Sequence, residues 1–169
     1  MNTKMKMIMR CVGFAILGLL ISSILWAETI TGKVITIVDG NTLEVFTTEN
    51  ETYKILLFGI DSPELNQEYG EEAKKFLEKL ILNKSVNIEI QGKDRLGNRL
   101  GILTLNGEDI REKLLEAGLA WTAERNPIAE LEVIKEKSRE KGKGLWKEQE
   151  PTPPWIFRRQ QTMTQFKTS

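Results

Sequence analysis

The chain has 169 residues, with 24 Lys+Arg against 24 Asp+Glu, no histidine and one cysteine. That length fits a single domain with extensions at its ends, and the balanced charge weakens any claim of tight, nonspecific nucleic-acid binding without excluding a local basic groove. Without histidine the commonest general base and metal ligand is missing, and one cysteine excludes an internal disulfide, so any acid–base or metal chemistry falls to carboxylates.

Residues 1–27 place Lys4, Lys6 and Arg10 ahead of an uncharged apolar run that ends near Ala27, the grammar of a signal peptide. A retained N-terminal anchor is the alternative, although the run falls slightly short of the about 20 residues that a spanning helix needs. Cys11 lies inside it without a lipobox-like lead-in. Cleavage removes Lys4, Lys6 and Arg10 from the 24 basic residues and no acidic one, which leaves 21 against 24 and a mildly acidic mature chain. The protein is therefore expected to be exported, periplasmic or extracellular, or else anchored to the membrane by its N-terminal segment.

Residues 29–38 are rich in β-branched side chains that alternate loosely, and Asp39-Gly40 marks a turn before "TLEVFT", which predicts a hairpin. "ETYKILLFGI" predicts a third strand. In "NQEYGEEAKKFLEKLILN" the apolar residues Tyr69, Ala73, Phe76, Leu77, Leu80 and Ile81 recur at three and four positions, the spacing of an amphipathic helix. "SVNIEI" and "LGILTL" are two more strands, the second closed by the turn Asn106-Gly107. Ile110, Leu114, Leu115 and Ala117 mark a second helix stopped at Gly118. A third opens at Asn126-Pro127 and runs to Leu145 and Trp146, with the charges from Lys135 to Lys143 on its solvated face.

The order βββαββαα, with a helix inserted after the third strand, predicts an α+β domain with a mostly β core. Its expected form is a five-stranded Greek-key barrel of the oligonucleotide-binding (OB-fold) type with three helices outside it. Residues 28–148 are assigned to this domain. Residues 149–169, proline-led and then basic, are expected to be a flexible tail apart from an anchor at Trp155.

In "KILLFGIDSPEL" two carboxylates, Asp61 and Glu64, straddle Pro63. Such a cluster can cap a helix N-terminus or form half of a metal site, and the local sequence leaves both readings open.

Four segments, "IVDGNTLEV", "LLFGIDSPE" followed by "YGEEA", "KDRLGNRLG" and "LLEAGLAW", resemble in order and spacing the staphylococcal nuclease (thermonuclease-like) family. The resemblance covers roughly residues 29–146, ends at the "GLW" that closes such domains, and reaches the "PPW" and paired arginines beyond. It implies phosphodiester hydrolysis in which calcium, held by oxygen ligands, binds the phosphate and a water. A glutamate activates the water, and two arginines neutralise the developing charge.

Carried over residue by residue, Asp61 matches a calcium-ligating aspartate, Ser62 a residue that lends its backbone carbonyl, and Glu64 the catalytic glutamate. Asn41 stands where a second ligating carboxylate is expected; it keeps an oxygen and loses a charge, so Ca2+ binding is expected to be weak or absent. The arginine expected five residues before Asp61 is Leu56, and the one that closes the "DRYGR" pattern is Asn98, with Leu96 before Gly97 in place of an aromatic. Arg99 is next along, turned to the other side by strand alternation unless a bulge at Gly97 redirects it. "WTAERN" lacks the nucleotide-contacting tyrosines of the family.

An arginine on a transferring phosphoryl group contributes roughly 10³- to 10⁵-fold in rate, so the loss of both predicts a crippled enzyme. The expectation is an exported thermonuclease-like domain, catalytically impaired, that binds nucleic acid or another polyanion weakly through Lys93, Arg95, Arg99 and the basic tail. No small-molecule cofactor is expected, and membrane contact only through an uncleaved N-terminus. One alternative is an active calcium-dependent endonuclease of DNA or RNA in which Glu64 acts with Arg99, or Arg95, in place of a lost arginine. The other, favoured by the acidic mature charge, is a protein-interaction module of the cell envelope.

Overall fold

The computed structural model describes residues 29–168, and the expected signal segment lies outside the described residues. The strands are β1 (Thr29–Ile37), β2 (Thr42–Thr47), β3 (Thr52–Leu57), β4 (Ile60–Asp61), β5 (Ser85–Lys93), β6 (Arg99–Leu105), β7 (Glu108–Asp109) and β8 (Trp121–Thr122). The helices are α1 (Gly70–Ile81), α2 (Ile110–Glu116), α3 (Ala129–Glu140) and α4 (Pro154–Thr168), with a 3-10 turn at Gly144–Lys147.

Strands β1, β2, β3, β5 and β6 make a closed barrel. They are antiparallel in the order β3-β2-β1-β5-β6, and β3 then closes on β6 in parallel, with Ile55 opposite Arg99. The period-2 alternation read from the sequence puts Val34, Leu43, Val45, Ile55, Val86, Ile88 and Leu103 into the lumen, where all are buried. The crossing is tight enough to require glycine. A Cβ on Gly101 would sit 2.8 Å from Ile88 Cγ2 and 3.1 Å from Ile55 Cγ2.

Helix α1 covers the barrel with Ala73, Leu77 and Ile81, as its three-and-four spacing requires. Helix α2 is N-capped by Asp109, whose carboxylate accepts from Arg111 N at 2.8 Å, and it buries Ile110, Leu114 and Leu115. The third helix is shorter than the sequence reading, because Gly142 and Gly144 take positive φ (58° and 50°) and end it before Trp146. Leu145 N donates to Gly118 O at 2.9 Å, and a Cβ on Gly144 would lie 2.3 Å from that same carbonyl. Two glycine backbones therefore clasp α2 to the chain that follows α3.

The expectation of a flexible tail is corrected. Residues 154–168 form α4, a fourth helix, started by Pro154 in the first turn where proline's fixed φ is favourable and its missing N–H costs nothing. Trp155 docks it. Its ring meets Trp121 edge-on at 5.8 Å, and Trp121 in turn meets Trp146 edge-on at 4.5 Å.

Candidate active site

The site forms where the chain leaves the barrel after β3. Gly59, at φ 83°, bends the backbone so that Ile60 and Asp61 pair with Thr122 and Trp121 across β4 and β8. The next residue, Ser62, is buried, and its hydroxyl donates to Gly40 O at 3.1 Å. A Cβ on Gly40 would come within 2.7 Å of Ser62 Cβ and of Ala73 Cβ. Glycine thus lets the β1–β2 turn, which carries Asp39 and Asn41, press against the Asp61 segment.

Glu64 is positioned by its backbone. Its N–H donates to Gln67 Oε1 at 3.2 Å, and its carbonyl accepts from Gln67 N at 2.8 Å. A Cβ on Gly70 would lie 1.9 Å from Glu64 O, so α1 can start here only with glycine. The N-cap of α1 is Tyr69, with no side-chain cap bond. Asp61 and Glu64 therefore cap no helix, and their side chains point to a different partner.

That partner is Arg158 of α4. Its Nη2 donates to Asp61 Oδ2 at 2.7 Å and its Nη1 to Asp61 Oδ1 at 3.1 Å, while Nη1 also reaches Glu64 Oε1 at 2.6 Å. Trp155 and Arg158 are three positions apart and so share one helix face. They land on Trp121 and Asp61, which are themselves cross-strand partners. Burial raises the Asp61 carboxyl above its ordinary value, and the Arg158 contacts offset only part of that rise. Asp61, and after it Glu64, hold the Arg158 guanidinium above its ordinary value, so it stays charged. Two further ties fasten the segment: Gln67 Nε2 donates to Thr152 O at 2.6 Å, and Arg159 pairs with Glu124 at 2.7 Å.

A cleft of about 540 Å³ opens beside this pair, lined among others by Asp39, Asn41, Leu56, Leu100, Arg125 and Arg158. Leu56 is half-buried on its wall. Asn98 is not among the lining residues; its amide donates to Asp94 Oδ2 at 2.8 Å and closes the 94–98 turn, where Leu96 N and Asn98 N also donate to Asp94. Arg99 lies outside the cleft lining, with its guanidinium 3.4 Å over the Tyr53 ring and its Nε buried without a partner. Lys93 and Arg95 are exposed, at the end of β5 and on the turn after it. The structure thus brings Asn41, Asp61, Ser62 and Glu64 together and leaves Lys93, Arg95 and Arg99 apart from them. The cations that line the cleft are Arg125 and Arg158; the sequence reading noted Arg158 only as one of the paired arginines of the tail and gave neither a place in the site. The signal that could have found Arg158 is its spacing from Trp155.

Arranged in this way the residues do not fit a divalent cation. Calcium takes about six to eight oxygens, whereas both Asp61 oxygens accept from Arg158, and Asn41 Oδ1 faces Ser62 N at 3.4 Å. Among the described residues no group of three or more His, Cys, Asp or Glu side chains could hold a metal ion.

The family model described as "Staphylococcal nuclease homologue" matches residues 54–148. An "Uncharacterized endonuclease" of Escherichia coli O157:H7 is 34% identical over 131 residues, 76% of this chain and 85% of that protein. A protein of the same description from Haemophilus influenzae is 33% identical over 135 residues, 79% of this chain and 76% of its own length. "Staphylococcal-like nuclease CAN1" of Arabidopsis thaliana is 36% identical over 108 residues, 63% of this chain and 33% of the plant protein.

Proposed function

The chain belongs to the staphylococcal nuclease family, and from that premise we propose that it is a nuclease-like domain impaired in phosphodiester hydrolysis that retains weak binding of nucleic acid or another polyanion. The observation that carries this reading is the engagement of both Asp61 and Glu64 by Arg158, beside a cleft wall made apolar by Leu56 and Leu100.

Hydrolysis needs a carboxylate that can take a proton from water, and donors preformed around the oxygens where charge develops. Glu64 Oε1 lies against Arg158 Nη1 and is closed to a water on that side. The Arg158 charge is shared by two carboxylates. Among the charged groups that line the cleft, Asp39, Asp61 and Glu64 then outweigh Arg125 and Arg158, since Glu124 is taken by Arg159. A phosphate entering this cleft meets net negative charge, and one preformed donor lost costs about 10²- to 10³-fold in rate.

Weak polyanion binding is supported by two cations outside that balance, together with Arg125 within it. Gly92 pairs with the cleft-lining Leu100, so the exposed Lys93 and Arg95 follow directly beyond the rim, and Arg125 stands at the cleft itself. With roughly three phosphates neutralised, binding should weaken with a log–log salt slope near −3. The basic start and apolar run of residues 1–27 support a place outside the cytoplasm for this activity.

The test is a gel shift of single- and double-stranded DNA and RNA at graded salt, with cleavage of the same probes followed in calcium. The reading expects salt-sensitive binding and little cleavage. Calcium-dependent cleavage that Arg99→Ala abolishes would replace it with the active endonuclease, and salt-insensitive or absent binding would favour a protein-interaction module.

A further inference from the structure

We propose that Arg158 is the resident cation of the Asp61–Glu64 pair, and that a divalent cation can enter the pair only by displacing Arg158 and undocking α4. This concerns which charge occupies the cleft and stands apart from what the cleft binds. The geometry carries it. One guanidinium spans the two carboxylates with three hydrogen bonds of 2.6, 2.7 and 3.1 Å, and it uses both oxygens of Asp61. No oxygen of Asp61 is left facing the cleft without a donor, so a divalent cation that takes either oxygen as a ligand must first displace the guanidinium from it.

The device is built to be exchangeable. The Arg158 side chain is 47% exposed and that of Asp61 18%, so the fork sits at the mouth of the cleft with water at its back. A half-exposed pair is worth far less than a buried one. Beside the buried Pro154, which is not part of the barrel core, the remaining ties of this segment are the Trp155 edge contact on Trp121, the Gln67 bond to Thr152 O, and Arg159 on Glu124. None of them inserts a side chain into the barrel core. Helix α4 can leave without unfolding the domain, and when it leaves it uncovers the carboxylates for another cation.

Trp155 makes the exchange observable, because undocking α4 breaks its edge-on contact with Trp121. Calcium chloride would be titrated into the full chain and into Arg158→Gln and Arg158→Lys, with tryptophan fluorescence and calorimetry read in parallel. Potassium chloride at matched ionic strength separates exchange from simple screening. The expected result is that calcium binds Arg158→Gln at least about tenfold more tightly than the parent, since one competing charge at hydrogen-bond distance has been removed. Arg158→Lys, a point charge without the fork, should fall between them. In the parent, calcium should change the fluorescence at concentrations where potassium chloride does not. Equal calcium affinity in parent and Arg158→Gln, or an equal response of the parent to both salts, would overturn the proposal. Melting of each variant confirms that the barrel is intact, so a null result cannot be laid to misfolding.

Discussion

Arg158 and Asp61 meet through two hydrogen bonds although 97 positions separate them in the chain. Their meeting depends on a second pair one helical turn away, Trp155 on Trp121. The tryptophan contact supplies apolar area and fixes the rotation of α4, and the fork then selects its position along the cleft. Edge-on aromatic pairs contribute about 0.5–1.5 kcal/mol beyond their buried area.

Trp155→Ala should therefore loosen α4 while leaving the barrel folded. Trypsin digestion at Arg158 and Arg159 should become several-fold faster, with the main melting transition displaced by only a few degrees. Unchanged digestion would mean that the fork and Arg159 hold the helix without the tryptophan.

Gly70→Ala tests how Glu64 is placed. The added methyl would overlap Glu64 O at 1.9 Å, with Leu65 Cα at 3.0 Å behind it. Either the loop carrying Glu64 moves or α1 frays at its first turn. A loss of about 1–3 kcal/mol is expected, the range for overpacking, together with a weaker Arg158 contact seen as faster exchange of α4 amides. A fully stable variant with unchanged exchange would show that this close approach is not needed.

The bend between β3 and β4 rests on a buried arginine. Arg111 is 7% exposed, donates through Nη1 to Phe58 O at 3.0 Å, and forks Asp109 through Nε and Nη2. Arg111→Met leaves Asp109 with only the backbone N–H of residue 111 and takes the guanidinium from the Phe58 carbonyl, and it should cost about 3 kcal/mol or more in urea unfolding. Adding Asp109→Asn should return part of that loss. An Arg111→Met chain as stable as the parent would contradict this account of the bend.

The local chemistry of the barrel and its first helix was legible in the sequence because periodicity is a local signal. Val86, Ile88 and the Tyr69-to-Ile81 series announce a strand and a helix without knowledge of their partners. The α4 helix was not legible as structure. Pro153 and Pro154 read as a break, yet a proline in the first turn begins a helix as readily as it ends one, and the rest of the segment has no amphipathic stripe. In the site, the residue types at Asp61, Ser62 and Glu64 were recognisable, and so were the substitutions at Leu56 and Asn98. Their true counter-charge was hidden, because an arginine nearly a hundred positions away is brought in by tertiary packing alone. The capping alternative failed for a related reason: α1 starts at Gly70, six residues after Glu64, across two intervening turns.

Asn98 has acquired a structural task, which sets a pH dependence. Its amide is the leading cause that holds the Asp94 carboxyl below its ordinary value, helped by backbone donors from Asn98, Leu96 and Gly97. A carboxyl depressed in the folded state adds stability above its ordinary value, and that stability disappears as pH falls through the lower folded value. Asn98→Ala should raise the Asp94 midpoint in a carbon-detected NMR titration, and the melting difference from the parent should be present near neutral pH and vanish in acid. An unmoved Asp94 midpoint would show that the backbone donors alone hold it down.

On the function proposed above, the cleft keeps the carboxylates of a nuclease while Arg158 holds them and Leu56 leaves the phosphate without its donor. The most direct measurement is calcium-dependent cleavage of double-stranded DNA by the parent, Leu56→Arg, Arg158→Gln and the two combined, each with its melting curve. Little cleavage by the parent is expected, with a small gain from either change alone and at least about 10²-fold more from the combination, because groups acting on one transition state are non-additive. Rapid cleavage by the parent that neither change improves would contradict that function.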